Sequence, residues 1–509
     1  MSNAGGEARL THPTWGVGDI DKSVIIPVAL IATYLIIIPS FSPIPWLGPY
    51  NEKRTLQVSI LLLIIAGFFF SEELRRAWIG GFLAFPRVGR WGLAVVLGLG
   101  TISSALAPAP FYALLELGHF VALFVVAGVV ASLVRVVHPE LVKVVFLLTT
   151  VAGTLLYTVP FSVSYGMHLT MEDMKLWPWG WTNFANYRFL NQYQTWTLPL
   201  LAGTVLSIPK QKIYLRSGVF ALAVFWWILI FASEAEGTIL ALGIATVGVG
   251  LLFGKRVWKW GGLLLVAAFL GWIGYEVLFS TAGGGGGKAS FGEQLTRNSS
   301  YGRIDHWRIC LELFIDNPIL GAGPMHFAWP PYQFTLPASP HSAFFQWLGE
   351  WGGPSTVIMS GLTIWGGWRW IKHERTASIS NERADPVTIA LIGSVLAAGA
   401  HAQVSGIVLH PLSQMLLVFV GGWAWGRYQR RHSVSEEEDA AWMHSVLCVL
   451  LVAITVILGI GLRDLSLIEE RRAAYKQASE KKWYAPRYWQ QGYIGVRDSS
   501  VIKRARRDR

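Results

Sequence analysis

The sequence has few charged residues and almost no cysteine. Only 14% of its 509 residues are Asp, Glu, Lys or Arg, whereas 53% are hydrophobic. Soluble domains carry about 25% charged residues, so this composition excludes an ordinary soluble protein, and the excess apolar surface requires lipid. Cys310 and Cys448 are too few for a disulfide framework or a cysteine-built metal site.

Alternating apolar and polar segments, which build outer-membrane barrels, are also lacking. Stretches such as 120–130 are continuously apolar, which is typical of helices that satisfy their own backbone hydrogen bonds in lipid. About thirteen uncharged runs approach the roughly 20 residues that a bilayer core takes. We therefore predict an all-α polytopic membrane protein with about 12–14 transmembrane helices. The predicted spans are 23–42, 56–70, 91–107, 111–134, 142–163, 194–208, 215–233, 237–254, 260–280, 344–371, 387–409, 412–426 and 442–462.

Basic residues accumulate in every second connection between these spans. They are Arg75, Arg76, Arg87 and Arg90, then Arg135 and Lys143, then Lys210, Lys212 and Arg216, then Lys255, Arg256 and Lys259, then Lys372, Arg375 and Arg383, and finally Arg427, Arg430 and Arg431. Since cytoplasmic loops carry the excess of Lys and Arg, this alternation predicts a cytoplasmic N-terminus over 1–22. No cleavable leader precedes the first span, so we expect the first helix to be retained.

Two long connections, 164–193 and 281–343, both face the periplasm in this topology. Loops of such length in a compact protein usually bind or catalyse, so they form the candidate active surface. The predicted organisation begins with transmembrane helices over 23–280, a unit that includes the connection 164–193. A large periplasmic catalytic loop with short helices follows over 281–343. Further transmembrane helices follow over 344–462.

The C-terminal tail, 463–509, is strongly basic, with 13 Lys and Arg against 6 Asp and Glu. An odd number of spans sends it to the periplasm, which conflicts with the charge rule, although that rule is weak far from the last helix. A solvated terminus is the simpler interpretation. A tail that lies on anionic lipid headgroups is the alternative.

The residues best suited to catalysis lie between Arg297 and Glu350. A helix is predicted after Ser299 and Ser300, which can cap it, so that Arg303 lies in its first turn. Its helical repeat is Arg303, Trp307, Leu311 and Phe314, and Arg308 lies on a different face. His341 follows Ser339-Pro340 and precedes an apolar run, which predicts an imidazole in the first turn of the tenth span, at the water interface.

Arginine and histidine together supply what glycosyl transfer from a lipid diphosphate requires. A guanidinium pairs with phosphate oxygens and stays charged at any working pH, so it stabilises the departing diphosphate. An imidazole can take the proton of the acceptor hydroxyl. Taken singly, Arg303 has the simpler interpretation of a headgroup-anchoring arginine, and His341 that of an interfacial histidine bonded to the backbone.

This order of residues resembles the O-antigen ligase and polymerase superfamily, which includes WaaL, Wzy and the pilin O-oligosaccharyltransferases. The resemblance is carried by Gly302, Arg303, Trp307, Asn317, Pro318, Gly321, Ala322, Gly323, Phe327, Pro340, His341, Leu348, Glu350 and Gly352. It implies a GT-C-like fold and an inverting, metal-independent transfer from an undecaprenyl diphosphate donor, with no cofactor. By the same resemblance Arg303 is the family's essential arginine and His341 its essential histidine, and Arg297 and Arg308 are further candidates for the diphosphate.

The sequence departs from the family at two places. Ser342 stands where the family often has Asn after the histidine. A second family arginine is commonly found in a Ser-Arg-Gly stretch, whereas the corresponding text here is Ser233-Glu234-Ala235-Glu236-Gly237. Three explanations stay open: Glu236 acts on the acceptor, another arginine has replaced the missing one, or the corresponding stretch lies elsewhere.

The other long connection offers a replacement arginine and a candidate glycan surface. Arg188 lies among amide and aromatic side chains that include Asn186, Asn191 and Gln192. Amides bond sugar hydroxyls and aromatic rings cover the apolar faces of sugars, so we predict that this segment and Trp307 hold the glycan. The alternative is an interfacial aromatic belt with incidental amides.

Several ionisable groups fall inside or just after the predicted spans. Glu116 and His119 share one helix, and His401, Gln403 and His410 lie on or after the eleventh span. Because burial of such groups in lipid costs several kcal/mol, they must be paired or face water. They line the donor's path or, more commonly, form structural polar pairs between helices.

Three classes of function are compatible with the sequence: a glycan transferase of the polymerase or ligase type, a polysaccharide flippase or transporter, and a non-catalytic assembly subunit of an envelope polysaccharide system. Related half-repeats, which the transporter class predicts, are not found. The transferase prediction implies an inner-membrane location with the active site facing the periplasm. Its expected partners are an undecaprenyl diphosphate-linked glycan, a glycan, lipid A-core or protein acceptor, membrane lipids and other polysaccharide-assembly proteins, and no nucleic acid.

Overall fold

The predicted all-α architecture is confirmed. The computed structural model describes residues 22–171, 183–280, 302–329, 338–380, 385–430, 441–471, 473, 486–490, 492 and 494. Every regular element within these ranges is a helix. Arg297, Ser299, Ser300 and the N-terminal segment 1–21 lie outside the described residues.

Helices make up most of the described chain. In chain order they are α1 Lys22–Ile37, α2 Pro49–Phe70, α3 Glu72–Leu83, α4 Arg87–Leu106, α5 Pro110–Val136, α6 Pro139–Thr170, α7 Tyr187–Ser207, α8 Ile213–Ala232, α9 Glu236–Phe253, α10 Trp258–Tyr275, α11 Arg303–Asp316, α12 Ala343–Ser380, α13 Pro386–His401, α14 Pro411–Arg430 and α15 Ala441–Leu462. Each predicted span overlaps one of them. α3 was not predicted, because its Arg75 and Arg76 were assigned to a loop. The side chain of Ser71 caps this short helix by accepting a hydrogen bond from Leu74 N.

Seven helical segments of the described chain are long and apolar enough to cross a membrane, so this is a multi-pass membrane protein. They are Pro49–Phe70, Arg87–Leu106, Pro110–Val136, Pro139–Thr170, Ile213–Ala232, Glu236–Phe279 and Trp442–Arg471. α1 and α13 are apolar but shorter. α7 is too polar for this group because it carries Asn191, Gln192 and Gln194, which are shielded inside the bundle.

The core forms around α7 and around the pair α5 and α14. α7 is buried along nearly its whole length and packs against α6, α8, α9, α10, α13 and α14. α5 and α14 approach closely because Gly422 and Gly426 face α5; a Cβ at Gly426 would lie 2.5 Å from Ala131 O. Small residues at such crossings let helix backbones pack tightly within a membrane.

α11 and the turn that follows it lie at one end of the bundle, which we call the loop end. The first residues of α5, α7, α9 and α12 lie there too. Gly302, with φ 73°, occupies the left-handed region just before Arg303 begins α11. The buried side of α11 is His306, Cys310 and Leu313. Leu311 is exposed, so the predicted helical repeat was offset from the buried face.

Two glycines dock the turn after α11 against α12. Gly321 has φ 72° and Gly352 has φ 77°, and a Cβ at Gly321 would lie 2.4 Å from the carbonyl oxygen of Glu350. Ala322 N donates to Gly349 O at 2.9 Å, and Gly353 N donates to Pro318 O at 2.8 Å. Only glycine fits this approach, so the turn and the start of α12 form one unit.

Candidate functional site

His341 stands directly before α12 in an unusual backbone conformation. Its φ is 55°, in the left-handed region that residues with a side chain rarely adopt. Ala343 N, two residues later, donates to Ala402 O at 2.8 Å, which fixes this entry to α12 against the end of α13. Strained backbone of this kind concentrates at functional sites, because the surrounding structure must hold it.

Arg303, His306 and His341 lie together at the loop end. The ring centroids of His306 and His341 are 5.8 Å apart. Burial, followed by the charges of His306 and Arg303, lowers the pKa of His341 to about 4. Arg303 and His341, the pair to which the family resemblance assigns essential roles, are therefore close enough to interact, and the His341 ring is neutral near pH 7.

Arg188 approaches the same region from α7. Asn186 caps α7 by accepting from Arg188 N at 2.9 Å. The guanidinium of Arg188 donates through Nη1 to Glu234 O at 2.7 Å. It therefore sits against the short connection between α8 and α9, in which the family's second arginine was expected.

His401, at the end of α13, joins these groups. The charges of Arg188 and Arg303 both act on its ring. Its Nδ1 lies 2.8 Å from Thr195 Oγ1. We call Arg188, Arg303, His341 and His401 the loop-end cluster; it draws on α7, α11, the approach to α12 and α13.

The amide residues predicted to hold glycan occupy different environments. Asn186 is exposed. Asn191 is buried and donates to Ser233 Oγ at 2.8 Å, and Gln192 is buried and donates to Ser405 Oγ at 2.9 Å. Both fix α7 to neighbouring connections. Asn191 Oδ1 and Gln192 Oε1 have no hydrogen-bond partner within the described part of the chain, and a glycan contact there stays a prediction.

Three further predicted site residues, Trp307, Arg308 and Glu236, are not members of the cluster. Trp307 stacks on Phe345, with ring centroids 5.0 Å apart. Arg308 points to solvent on the other face of α11, and Glu236 is the half-buried first residue of α9. Arg297 cannot be placed, since it lies outside the described residues.

A buried ion triad lies beside the cluster and includes a residue of the tail. Arg487 Nη2 donates to Glu116 Oε1 at 2.8 Å and to Glu350 Oε2 at 2.6 Å. All three side chains are buried. Glu350 Oε1 also accepts from Phe327 N at 2.9 Å, which ties the triad to the turn after α11.

A second buried arginine borders the triad. Arg54 Nη1 donates to Gln414 Oε1 at 2.6 Å and lies 3.0 Å from His119 Nε2, while its Nε donates to Tyr488 O at 3.1 Å. Arg54 bonds neutral groups, whereas Arg487 bonds both carboxylates, and the two arginines and Glu116 line one small cavity. Glu116 and His119 are held in hydrogen-bonded networks, as expected of structural polar groups between helices.

The location of 486–490 corrects the prediction for this part of the tail. Arg487, Tyr488 and Trp489 are buried among the helices, whereas the sequence favoured a solvated terminus or a headgroup contact. Tyr50 Oη donates to Arg487 O at 2.8 Å, and Gln490 N donates to Asn51 Oδ1 at 2.8 Å. The aromatic pair Tyr488-Trp489 within a basic segment was the sequence signal for burial.

His326 joins the turn after α11 to the start of α5. Its Nε2 accepts from Ala109 N at 3.0 Å and its Nδ1 lies 2.9 Å from Pro324 O, which fixes the proton on Nδ1. Burial lowers the pKa of His326 to about 4. A neutral ring is required here, because Nε2 must remain an acceptor.

Sequence reasoning also missed His306. It lies one helical turn after Arg303 and its ring is buried, yet Nδ1 has no hydrogen-bond partner among the described residues. The spacing Arg303–His306 on one face of α11 was the available signal. His306 was missed because the predicted face of α11 was offset from its buried face.

Part of the sequence matches a known protein family. Residues 220–360 match the family described as O-antigen ligase, and this range contains Arg303, His306 and His341. No curated protein matches the chain. The matched segment holds the turn docked on α12 and three of the residues that meet at the loop end. The predicted resemblance to the O-antigen ligase and polymerase superfamily is thus confirmed over residues 220–360, where the sequence matches the O-antigen ligase family.

Proposed function

We propose that this protein is an inner-membrane glycosyltransferase that moves a glycan from undecaprenyl diphosphate to an acceptor hydroxyl on the periplasmic face. The acceptor is either a growing polysaccharide, a lipid A-core or a protein. The observation that carries the proposal is the meeting of Arg303 and His341 at the loop end, within the segment that matches the O-antigen ligase family. Glycosyl transfer from a lipid diphosphate requires a cation and a base at one place.

The proposed step is a single displacement at the anomeric carbon. His341 takes the proton of the acceptor hydroxyl while the acceptor oxygen forms its bond to that carbon. The bond from the carbon to the diphosphate oxygen breaks on the opposite face, so the anomeric configuration inverts. The electron pair leaves with undecaprenyl diphosphate, whose growing charge the Arg303 guanidinium stabilises. These residues perform the step without a metal.

The lowered pKa of His341 suits a base that must be unprotonated before the donor arrives. With a pKa of about 4, the ring is neutral at pH 7. A bound diphosphate adds negative charge nearby and raises the pKa of His341, since an opposite charge favours the protonated form. The donor thereby strengthens the base that acts on the acceptor.

Arg188 is proposed as the second diphosphate ligand. Its Nη1 contacts Glu234 O, inside the stretch where a family arginine is missing. A guanidinium from α7 thus brings positive charge to a place where the local sequence offers carboxylates. Its charge and that of Arg303 both act on His401, which supports a shared anion site. Glu236, the first residue of α9, is the candidate on the acceptor side.

The test is a transfer assay with purified protein in lipid nanodiscs. Lipid-linked repeat unit is supplied alone, with lipid A-core or with an acceptor protein, and the anomeric configuration of the product is read by NMR. Transfer with inversion is expected, and Arg303→Ala is expected to abolish it. Arg256→Ala, an exposed arginine at the opposite end of the bundle, is the matched control. Equal transfer by both variants, or translocation of the donor without transfer, would refute the proposal.

A further inference from the structure

A cavity of about 730 Å³ opens at the loop end, and none of the residues of the loop-end cluster lines it. It lies between the start of α5, the residues that follow α15, and Trp329 at the end of the turn after α11. Its volume falls within the range of about 300–1,000 Å³ that is typical of small-molecule sites. The O-antigen ligase match covers 220–360 and so includes only Trp329 of its walls.

Aromatic rings form one wall of this cavity. Phe111, Tyr112 and Trp329 all line it, and each is only partly buried. Partly exposed rings of this kind cover the apolar CH faces of sugar rings, and Tyr and Trp add a polar group at their edge. The wall favours a flat, ring-shaped ligand.

Charged groups of both signs form a second wall that adjoins these rings, since Arg471 Cζ lies 6.0 Å from the centre of the Tyr112 ring. Arg471 pairs with Asp464 through two bonds of 2.7 Å and 3.0 Å, and Arg471 Nε is buried without a partner in the described part of the chain. Arg463 and Glu470 lie exposed at the rim. The wall thus carries two cations and two carboxylates. A balanced set of donors and acceptors suits hydroxyl groups, whereas a phosphate site carries an excess of cations.

The turn after α11 separates this cavity from the cluster. Phe327 lies near His306, the neighbour of His341, with its ring centroid 6.5 Å from that of His306. Two residues later Trp329 lines the cavity, and its ring lies 6.0 Å from that of His326. The cavity therefore adjoins the same turn that carries Phe327.

We propose that this cavity binds the non-reacting part of the acceptor, as a hydroxyl-rich glycan without net charge. The aromatic wall stacks on its sugar rings, and Arg463, Glu470 and the Arg471–Asp464 pair exchange hydrogen bonds with its hydroxyls. The cavity is thus an acceptor subsite, distinct from the donor site at Arg303. The inference rests on the proposed transferase function.

The test measures binding and kinetics separately. The probe for binding is the oligosaccharide released from the lipid-linked repeat unit, titrated into the purified full-length protein by calorimetry. Trp329→Ala and Tyr112→Ala are each expected to weaken binding about fivefold and to raise the acceptor KM by a similar factor, since loss of a stacked ring costs about 1 kcal/mol. The donor KM and kcat should stay within about twofold of the wild-type values.

Two further variants keep the test decisive. Ser466→Trp fills the cavity at an exposed position and should block the oligosaccharide even if the aromatic variants fold poorly. Trp258→Ala removes an exposed Trp at the opposite end and should change nothing. Unchanged oligosaccharide binding in the three cavity variants would overturn the inference, as would competition by vesicles of anionic phospholipid. If the wild-type protein showed no transfer activity but bound the oligosaccharide, and the cavity variants weakened that binding, only the proposed transferase function would be refuted.

Discussion

Arg487 Nη2 lies 2.6 Å from Glu350 Oε2 and 2.8 Å from Glu116 Oε1, so one guanidinium of the tail joins α5 to α12. Glu350 also holds the turn after α11 through Phe327 N and, by its carbonyl oxygen, Gly323 N. The buried part of the tail therefore belongs to the framework that places His341. A buried charge that loses its partner is costly, because its desolvation is no longer offset.

Loss of Arg487 should destabilise the protein strongly. Arg487→Met leaves Glu116 and Glu350 facing each other, with an expected cost of about 3–5 kcal/mol. Thermal unfolding in detergent, read by tryptophan fluorescence, measures this change. Arg76→Ala breaks the exposed pair with Glu72 and serves as the control, since exposed ion pairs contribute little. Equal melting temperatures for the two variants would show that the triad does not stabilise the bundle.

Arg188 should be essential for donor binding, and lysine should replace it only in part. Arg188→Ala removes the charge, and we expect the donor KM to rise at least about tenfold. Arg188→Lys keeps the charge but loses the fork of donors that contacts Glu234 O and a phosphate together, so partial recovery is expected. Steady-state kinetics over a series of donor concentrations measure both. A wild-type donor KM in Arg188→Ala would contradict the assignment.

The pH dependence of transfer should differ between free and donor-bound protein. Because the pKa of free His341 is about 4, kcat/KM should be nearly flat from pH 5 to pH 8 and should fall as the pH approaches 4. A bound diphosphate raises the pKa of His341, so kcat should begin to fall at a higher pH than kcat/KM. Profiles of kcat and kcat/KM measured over this pH range at fixed ionic strength test this prediction. If kcat began to fall at a lower pH than kcat/KM, the prediction would be contradicted.

His326 should make stability depend on pH. Its pKa is about 4 when folded and about 6.5 in the unfolded chain. The unfolded chain therefore binds the proton first, so the stabilisation from His326 is complete above about pH 6.5 and declines as the pH falls towards 4. A shift of this size corresponds to about 3 kcal/mol. The difference in unfolding free energy between wild type and His326→Gln should shrink over that window; a constant difference would contradict the neutral bridge to Ala109.

The helices were predictable from the sequence because long apolar runs are required wherever a chain crosses lipid. Each predicted span overlaps a helix, but the predicted boundaries are wrong where charged residues are buried. α2 begins at Pro49 and includes Glu52, Lys53 and Arg54, whose low hydropathy excluded them from the predicted span. Arg54 is stabilised by groups as distant in sequence as Gln414 and Tyr488. A pattern within one segment cannot reveal such partners.

The candidate site was predictable only in part, for a similar reason. Arg303 and His341 stand out because a motif spaces them, and the structure brings them together. His306 and Arg487 do not stand out, because their neighbours come from other segments of the chain. His306 lies near His341. Arg487 pairs with Glu116 and Glu350. The placement of Arg188 against Glu234 likewise depends on how α7 packs on α8 and α9.

The most direct test measures donor binding and transfer in the same His341 variant. His341→Asn suits the backbone, since Asn tolerates a positive φ, but it removes the ring that takes the proton. We expect this variant to bind the lipid-linked donor with nearly wild-type affinity and to transfer the glycan at least about 100-fold more slowly. Transfer at the wild-type rate by this variant would contradict the role of His341 as the base.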